Sequence, residues 1–98
     1  MINVTDYIEM ILQKKKWTRT KLKEELNKIE TKLGEKKTTI EMISDYMRGR
    51  WAFRPKLLAK WEKALELKEG TLVNMVMPPL TKEGKDELKQ VIERLRKV

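Results

Sequence analysis

Apolar residues recur at intervals of three and four along most of the chain, and this spacing constrains the fold more than any other feature. The clearest series is Leu22, Leu26, Ile29 and Leu33. Such a spacing places side chains on one face of an α-helix. No segment alternates apolar and polar residues as a half-buried β-strand would. The sequence therefore predicts an all-α fold.

Residues that start or stop helices mark the first two segments. Thr5 is expected to cap a first helix, in which the apolar residues are Ile8, Ile11 and Leu12. A second helix is predicted to start at Thr18 or Thr20 and to end at Gly34, because glycine readily takes the left-handed conformation that closes a helix. Lysine and glutamate dominate the other faces of this second helix.

One threonine, one glycine and one proline mark the third and fourth helices. Thr38 is expected to begin the third helix through a capping box, in which the Glu41 carboxylate reaches back to the threonine. Gly49 can end that helix. Pro55 fits the first turn of a fourth helix, where a missing N–H costs nothing. The expected apolar faces are Ile40, Ile43 and Met47 in the third helix and Leu57, Leu58, Trp61 and Leu65 in the fourth.

Two further helices are predicted toward the carboxyl terminus. A short fifth helix is expected from Glu69 to Val76, and Pro78 and Pro79 must break it. A sixth helix follows with an apolar stripe of Leu88, Val91, Ile92 and Leu95. The chain is therefore expected to divide into a domain at residues 1–79 and an amphipathic helix at residues 80–98.

The composition limits the class of protein. With 98 residues, of which 40% are hydrophobic and 39% charged, the chain can form one domain with a modest core. It contains no cysteine and no histidine, which removes disulfides, thiolate catalysis and the usual zinc ligands. The amino terminus lacks the charge order of a signal peptide, and no apolar run is long enough to span a bilayer. We expect a soluble, cytoplasmic protein without a metal or cofactor.

Catalytic motifs are also lacking. The sequence has no phosphate-binding glycine loop and no HExxH motif, and Ser44 is its only serine. Adjacent carboxylates occur at Glu24 and Glu25 and at Asp86 and Glu87, but lysines are interleaved with them, as on a solvated helix face. We therefore do not expect an enzyme.

The positive charge of the chain is large and unevenly distributed. The net charge is +8, from 23 Lys and Arg against 15 Asp and Glu, and this excess favours a polyanionic partner. No acid occurs between Tyr46 and Trp61. The cations of this stretch are Arg48, Arg50, Arg54, Lys56 and Lys60. They form either a nucleic-acid-binding surface or an ordinary solvated rim.

Trp51 and Phe53 lie among these arginines and need a separate interpretation. Aromatic side chains can stack on nucleic-acid bases. The chain has only six aromatic residues, three Trp, two Tyr and one Phe, and the core needs them. Phe53 and Trp61 are therefore predicted to be packed, whereas Trp51 is equally consistent with packing and with an exposed contact.

Two stretches, WTRTKLKEEL and ISDYMRGRWAFRPKLLAKWEKALELKEGTLVNMV, carry a family resemblance. The second combines an Ile-Ser-x-Tyr-x-x-Gly pattern with a downstream proline, the pair Ala64 and Leu65, and Leu72. Together they resemble the lambda-repressor-like (Cro/C1-type, XRE family) helix-turn-helix domain over residues 4 to about 76. The resemblance implies a five-helix bundle, here with an extra carboxy-terminal helix. It also implies a sequence-specific regulator of transcription that binds double-stranded DNA, and family habit points to a phage or other mobile element.

The resemblance also assigns site residues. In this family the loop after the recognition helix lies along the sugar-phosphate backbone, where cations fix the register without recognising sequence. The cations assigned to the DNA backbone, including two in the basic connection before the third helix, are Arg19, Lys36, Lys37, Arg48, Arg50, Arg54 and Lys56. The residues expected to face the bases are Thr39, Glu41, Met42, Ser44 and Asp45.

Two features depart from the family pattern. The segment NKIETKLGEKKTT makes the connection between the second and third helices longer than the usual compact turn. Glu41 and Asp45 place negative charge on the presumed recognition helix, where phosphates would repel them, although carboxylates can accept from cytosine N4. These departures leave an alternative, in which the helix-turn-helix scaffold is an adaptor for, or an inhibitor of, a host protein.

The stripe of the sixth helix needs a partner, because an isolated helix of this length is marginal in water. Residues of both charges flank the stripe, as in helices that self-associate. We predict that Leu88, Val91, Ile92 and Leu95 form a homodimer contact, since operators of this class commonly consist of two half-sites. The alternative is that the helix packs on its own domain.

Overall fold

In the computed structural model, residues 3–76 and 82–98 are described, and these residues form six α-helices and no β-strand. The helices are α1 (Val4–Lys15), α2 (Arg19–Leu33), α3 (Ile40–Met47), α4 (Pro55–Ala64), α5 (Val73–Val76) and α6 (Lys82–Arg96). The predicted all-α fold is confirmed. The predicted break at Pro78 and Pro79 lies outside the described residues.

Three predicted helix boundaries are confirmed. Thr18 caps α2, and its hydroxyl accepts a hydrogen bond from the Lys21 amide at 3.1 Å. Gly34 closes α2 in the left-handed conformation, with a φ of 72°. Pro55 is the first residue of α4, directly after Arg54. These boundaries depend on the local chemistry of one or two residues, which is why the sequence predicts them.

The start of α1 differs from the prediction. Asn3, not Thr5, caps the helix, because the side-chain oxygen of Asn3 accepts from the Asp6 amide at 2.8 Å. Thr5 lies in the first turn and donates its hydroxyl to the same Asn3 oxygen at 2.6 Å. The Thr5 prediction was wrong because an asparagine two residues earlier already satisfies the free amide of the first turn.

The start of α3 also needs a correction. Thr39 caps this helix, and its hydroxyl accepts from the Met42 amide at 3.2 Å. The predicted capping box between Thr38 and Glu41 is wrong. The amide and the hydroxyl of Thr38 both donate to Glu30 instead, so Thr38 is tied to α2 and the next threonine takes the capping position.

The fifth helix is shorter than predicted, since the turn before it is held by a buried carboxylate. The Glu62 side chain is 2% exposed. It accepts hydrogen bonds from three backbone amides, those of Gly70 at 3.0 Å, Leu72 at 2.6 Å and Val73 at 3.0 Å. The segment from residue 69 to residue 72 therefore forms turns, and the helix begins only at Val73.

All six helices contribute to one hydrophobic core. The buried apolar residues are Ile8, Leu12, Leu22, Leu26, Ile29, Ile43, Phe53, Leu58, Ala59, Trp61, Ala64, Leu65, Leu72, Val73 and Leu95. In the first four helices, some residues of the predicted apolar faces are only partly buried, namely Ile11, Leu33, Ile40, Met47 and Leu57. The core thus follows the helical spacing seen in the sequence, and Trp61 of α4 is its largest fully buried side chain.

The sixth helix packs against α4 and α2 of the same chain. Leu95 is 4% exposed, and the rest of the stripe is partly buried against the core, namely Leu88, Val91 and Ile92. Glu87 lies 3.3 Å from Lys56, and Arg96 donates to both carboxylate oxygens of Glu69 at 2.8 and 2.7 Å. The stripe thus packs on the rest of its own chain, which is the alternative to the predicted homodimer contact. The homodimer itself stays a prediction.

Candidate nucleic-acid interface

The second and third helices pack on each other and are joined by residues 34–39. Ile43 is fully buried and holds the inner face of α3 on the core. The five residues predicted to face the bases retain access to solvent. Two of them are exposed, Thr39 and Glu41, and three are partly exposed, Met42, Ser44 and Asp45. One short helix and its cap therefore present the whole predicted set.

Three of these five side chains already have a partner within the chain. The Thr39 hydroxyl caps α3. The Ser44 hydroxyl accepts from the Arg19 guanidinium at 3.4 Å, and the Asp45 carboxylate lies 3.8 Å from the Arg50 guanidinium. A hydroxyl that accepts one hydrogen bond can still donate its own proton. The hydroxyls of Thr39 and Ser44 can therefore each still donate one hydrogen bond to an outside acceptor.

Arg19, predicted to contact the DNA backbone, joins three helices. It is the first residue of α2, and it reaches Ser44 of α3 as well as Glu9 of α1, whose carboxylate lies 3.7 Å from the guanidinium. The Arg19 side chain is 39% exposed. The side chain therefore keeps partial access to solvent beside α3. No motif in the sequence indicates Glu9 as its partner.

The loop after α3 carries exposed cations in a defined turn. Gly49 has a φ of 80°, a conformation that favours glycine. The Gly49 amide donates to the Tyr46 carbonyl at 3.1 Å, and the Arg50 amide donates to the Asp45 carbonyl at 3.0 Å. Arg48 and Arg50 on either side of the glycine are exposed. The turn thus places two arginines at the carboxyl end of α3.

A chain of aromatic contacts ties this loop to the core. Trp51 is 45% exposed and meets Tyr46 edge to face, with ring centroids 5.2 Å apart. Tyr46 stacks on Phe53 at 5.2 Å, and Phe53 meets Trp61 edge to face at 5.2 Å. The predicted packing of Phe53 and Trp61 is confirmed. Both interpretations of Trp51 apply, because it packs against Tyr46 and is also 45% exposed to solvent.

The remaining predicted backbone cations lie elsewhere on the surface. Lys36 and Lys37 are exposed in the connection between α2 and α3. Arg54 is exposed at the start of α4, and Lys56 is paired with Glu87 of α6. Arg54 and Lys56 also line a cavity of about 230 Å³ between α4, α6 and the end of α2. Of the predicted set, Lys56 is therefore engaged by α6, whereas Arg54, the last residue of the loop after α3, stays exposed.

A buried polar network behind α3 was missed by the sequence analysis. The Glu30 carboxylate of α2 is 2% exposed and accepts from the Thr38 amide at 2.8 Å, the Thr38 hydroxyl at 2.6 Å and the Lys60 ammonium at 2.8 Å. One signal was present, since Glu30 follows Ile29 and lies one turn after Leu26, at the edge of the apolar face of α2.

The shifted pKa values lie away from this surface. Hydrogen bonds from Lys28 and Lys21 lower the pKa of Glu25 on α2. The hydrogen bond from Arg96 lowers the pKa of Glu69 beside α6. Residues 3–76 and 82–98 contain no group of carboxylates that could hold a metal ion. What the surface offers is therefore charge, hydroxyls and one exposed aromatic ring.

The described helices include none that is both long and apolar enough to cross a membrane. Comparisons of the chain with protein-family models, with curated proteins and with solved structures found no match.

Proposed function

We propose that the chain is a sequence-specific regulator of transcription that binds double-stranded DNA, with α2 and α3 as a lambda-repressor-like helix-turn-helix. The arginine loop after α3 carries this proposal. Its cations are exposed, its stretch of sequence contains no acid, and its aromatic residues join it to the core. Cations that only face water do not need to be held in place by the core. Cations that contact phosphates at fixed positions bind better when their loop is held rigidly.

The acids on α3 oppose DNA binding less strongly than the sequence alone suggests. Asp45 lies 3.8 Å from Arg50, so its charge is partly neutralised inside the site. Glu41 is the exposed acid of α3, and a carboxylate in a major groove can accept from cytosine N4. In this proposal Glu41, Met42 and Ser44 contact base edges, while Arg19 and the loop arginines contact phosphates.

The proposal is tested with a mixed-sequence DNA duplex over a series of salt concentrations. The variant Arg48→Ala/Arg54→Ala removes two exposed loop cations and leaves Arg50 to neutralise Asp45. Its affinity should fall, and the slope of log affinity against log salt should lose about one unit per lost phosphate contact. The matched control is Lys68→Ala/Lys97→Ala, which removes the same charge from exposed positions outside the loop.

Equal losses in the two variants would mean that only net charge matters, and the interface would not be at the loop. Affinity of the unaltered chain that does not change with salt would remove the proposal of DNA binding altogether.

A second candidate function is that of an adaptor for, or inhibitor of, a host protein. It is favoured by three exposed large apolar side chains, Met10 at 45%, Trp51 at 45% and Met75 at 39%, because such residues suit protein interfaces. Glu41 on α3 would then contact a basic partner. A chain that does not bind duplex DNA at low salt would leave this candidate in place.

We further propose that the DNA-binding form is a homodimer. Most of the α6 stripe is only partly buried within the chain, so some apolar surface remains for a second copy. Light scattering at tens of micromolar, with and without duplex, distinguishes a dimer from a monomer.

A further inference from the structure

The Glu30 carboxylate is buried at the edge of the apolar face of α2. It is 2% exposed, and Lys60, its ion-pair partner, has a side chain that is 14% exposed. A second carboxylate, Glu35, lies 3.8 Å from Lys60 at the rim. Removing charges from water is costly, so a buried ion pair adds little net stability over well-packed apolar residues of similar size. Its best-attested use is to select one arrangement of the parts that it joins.

The three residues of this network come from three parts of the site. Glu30 lies in the last turns of α2, Thr38 directly precedes the cap of α3, and Lys60 lies in α4. The Glu30 carboxylate bonds both to the backbone amide and to the hydroxyl of Thr38, at 2.8 and 2.6 Å. Two bonds to one residue fix its orientation as well as its position, and hence the direction in which α3 begins.

The connection needs this constraint because little else holds it. Residues 35–37 are exposed, and residues 35–39 are neither helix nor turn. α3 has eight residues and only one that is fully buried, Ile43. Tyr46 and Met47 also pack on the core, but they lie in the last turn of α3. The Thr38 bonds therefore fix the opposite end of the helix, which is nearest to Glu41 and Met42.

We infer that Glu30, Thr38 and Lys60 are positioning residues, which hold α3 at the angle that contact with base edges requires. This inference rests on the proposed function, since it concerns how the same helix recognises DNA. The network touches no DNA itself. It acts on sequence preference through the amino-terminal end of α3. The phosphate contacts of the loop lie at the other end of the helix, where Tyr46 packs on Phe53 and Trp61, and are expected to change little.

The test replaces the network by apolar residues of similar size, in the variant Glu30→Leu/Thr38→Val/Lys60→Met. The matched control carries the same three kinds of substitution at solvent-accessible positions of α2, in the variant Glu25→Leu/Lys28→Met/Thr31→Val. Both variants leave the net charge unchanged. Thr38→Val alone is a milder variant, because it removes one hydroxyl and keeps the amide bond and the ion pair.

The first measurement is hydrogen exchange, which does not involve DNA. In the network variant the amides of α3 should exchange about tenfold faster, while those of α2 around Leu26 keep their rates. The control variant should leave both unchanged, and Thr38→Val should give a smaller change of the same kind. Unchanged exchange in α3 of the network variant would overturn the inference. If that variant does not fold, Thr38→Val decides, and unaltered α3 exchange there overturns it equally.

The second measurement compares two duplexes, one enriched by the unaltered chain from a randomised library and one of mixed sequence. The network variant should lose about tenfold in affinity for the enriched duplex and stay within about twofold for the mixed one. Equal losses on both duplexes would show a merely structural role and overturn the inference. If no sequence is enriched, sequence-specific recognition fails as a function, and the exchange measurement still decides whether the network holds α3.

Discussion

The helices α3 and α6 are similar in their apolar packing and differ in how their ends are held. Each has one fully or almost fully buried residue, Ile43 at 0% and Leu95 at 4% exposed. The start of α3 is tied to a buried carboxylate, and its end leads into a chain of aromatic rings that reaches Trp61. α6 is held at its sides by exposed ion pairs.

The contact between α6 and the rest of the chain is also less complete. Two pockets of about 230 and 290 Å³ that open to solvent lie along it, both lined by Leu95 and by residues of α4. The protein atoms that line such pockets have water in place of protein neighbours on one side, so they make fewer contacts within the protein. The difference between α3 and α6 shows that the apolar spacing of a helix does not by itself determine how firmly the helix is attached. α3 is expected to be the rigid element and α6 the one that opens first.

The largest expected effect is that of Trp61→Ala, which removes the inner end of the aromatic chain. Trp61 is fully buried, so the change should lower the free energy of unfolding by the upper part of about 3–5 kcal/mol. Chemical denaturation measures this. Trp51→Ala at the exposed end is the control and should cost less than about 1 kcal/mol. If the two variants lowered the free energy of unfolding by similar amounts, the buried and exposed ends of the aromatic chain would contribute equally, and Trp61 would not be its main anchor.

Next in size is Lys60→Ala, which leaves the Glu30 carboxylate buried without its ammonium partner. The expected cost is roughly 3 kcal/mol, the lower end of the range for breaking a buried ion pair. The control is Lys56→Ala in the same helix, which breaks the exposed pair with Glu87 and should cost at most about 1 kcal/mol. Denaturation curves of equal midpoint for the two variants would remove the contrast between the attachments of α3 and α6.

A smaller effect is expected from Leu95→Ala, which removes the buried side chain of α6. The loss should be about 2 kcal/mol, the lower end of the range for a buried leucine, since pockets that open to solvent border this side chain and the site can relax. Hydrogen exchange should show that α6 amides become faster while α3 amides keep their rates. Faster exchange in α3 as well would show that the two helices unfold as one unit.

The smallest expected effect is a dependence of stability on pH, which comes from the ion pair between Glu69 and Arg96 of α6. The hydrogen bond from Arg96 lowers the pKa of Glu69 in the folded chain. A group whose folded pKa is lowered stabilises the fold above its ordinary pKa, and this contribution disappears as the pH falls through the lowered value. Thermal unfolding of the unaltered chain and of Glu69→Gln should therefore differ near neutral pH and converge in acid. A difference that persists in acid would assign the effect to something other than this ion pair.

The sequence predicts what depends on neighbouring residues. The order of the helices, the cap at Thr18, the closure at Gly34 and the start at Pro55 all follow from local chemistry and apolar spacing. The packed positions of Phe53 and Trp61 follow from the scarcity of aromatic residues. These features need no knowledge of distant parts of the chain.

What the sequence does not predict depends on contacts between distant residues. Thr38 and Thr39 are equally good caps locally, and the choice between them is made by Glu30, eight residues before Thr38. Glu30 in turn is buried because Lys60, thirty residues later, reaches it. In the candidate site, the contact of Arg19 with Ser44 spans twenty-five residues. Charge patterns identify such residues as polar, and only the fold shows which of them are enclosed.

The three tryptophans lie at three depths, and this has an optical consequence. Trp61 is fully buried, Trp17 is partly buried and Trp51 is 45% exposed. The fluorescence of Trp51 should therefore be the most red-shifted and the most readily quenched by iodide. Because Trp51 stands between the loop arginines, its emission reports on whatever occupies that loop. The molecule carries its own fluorescent probe, and no dye is needed to follow binding there.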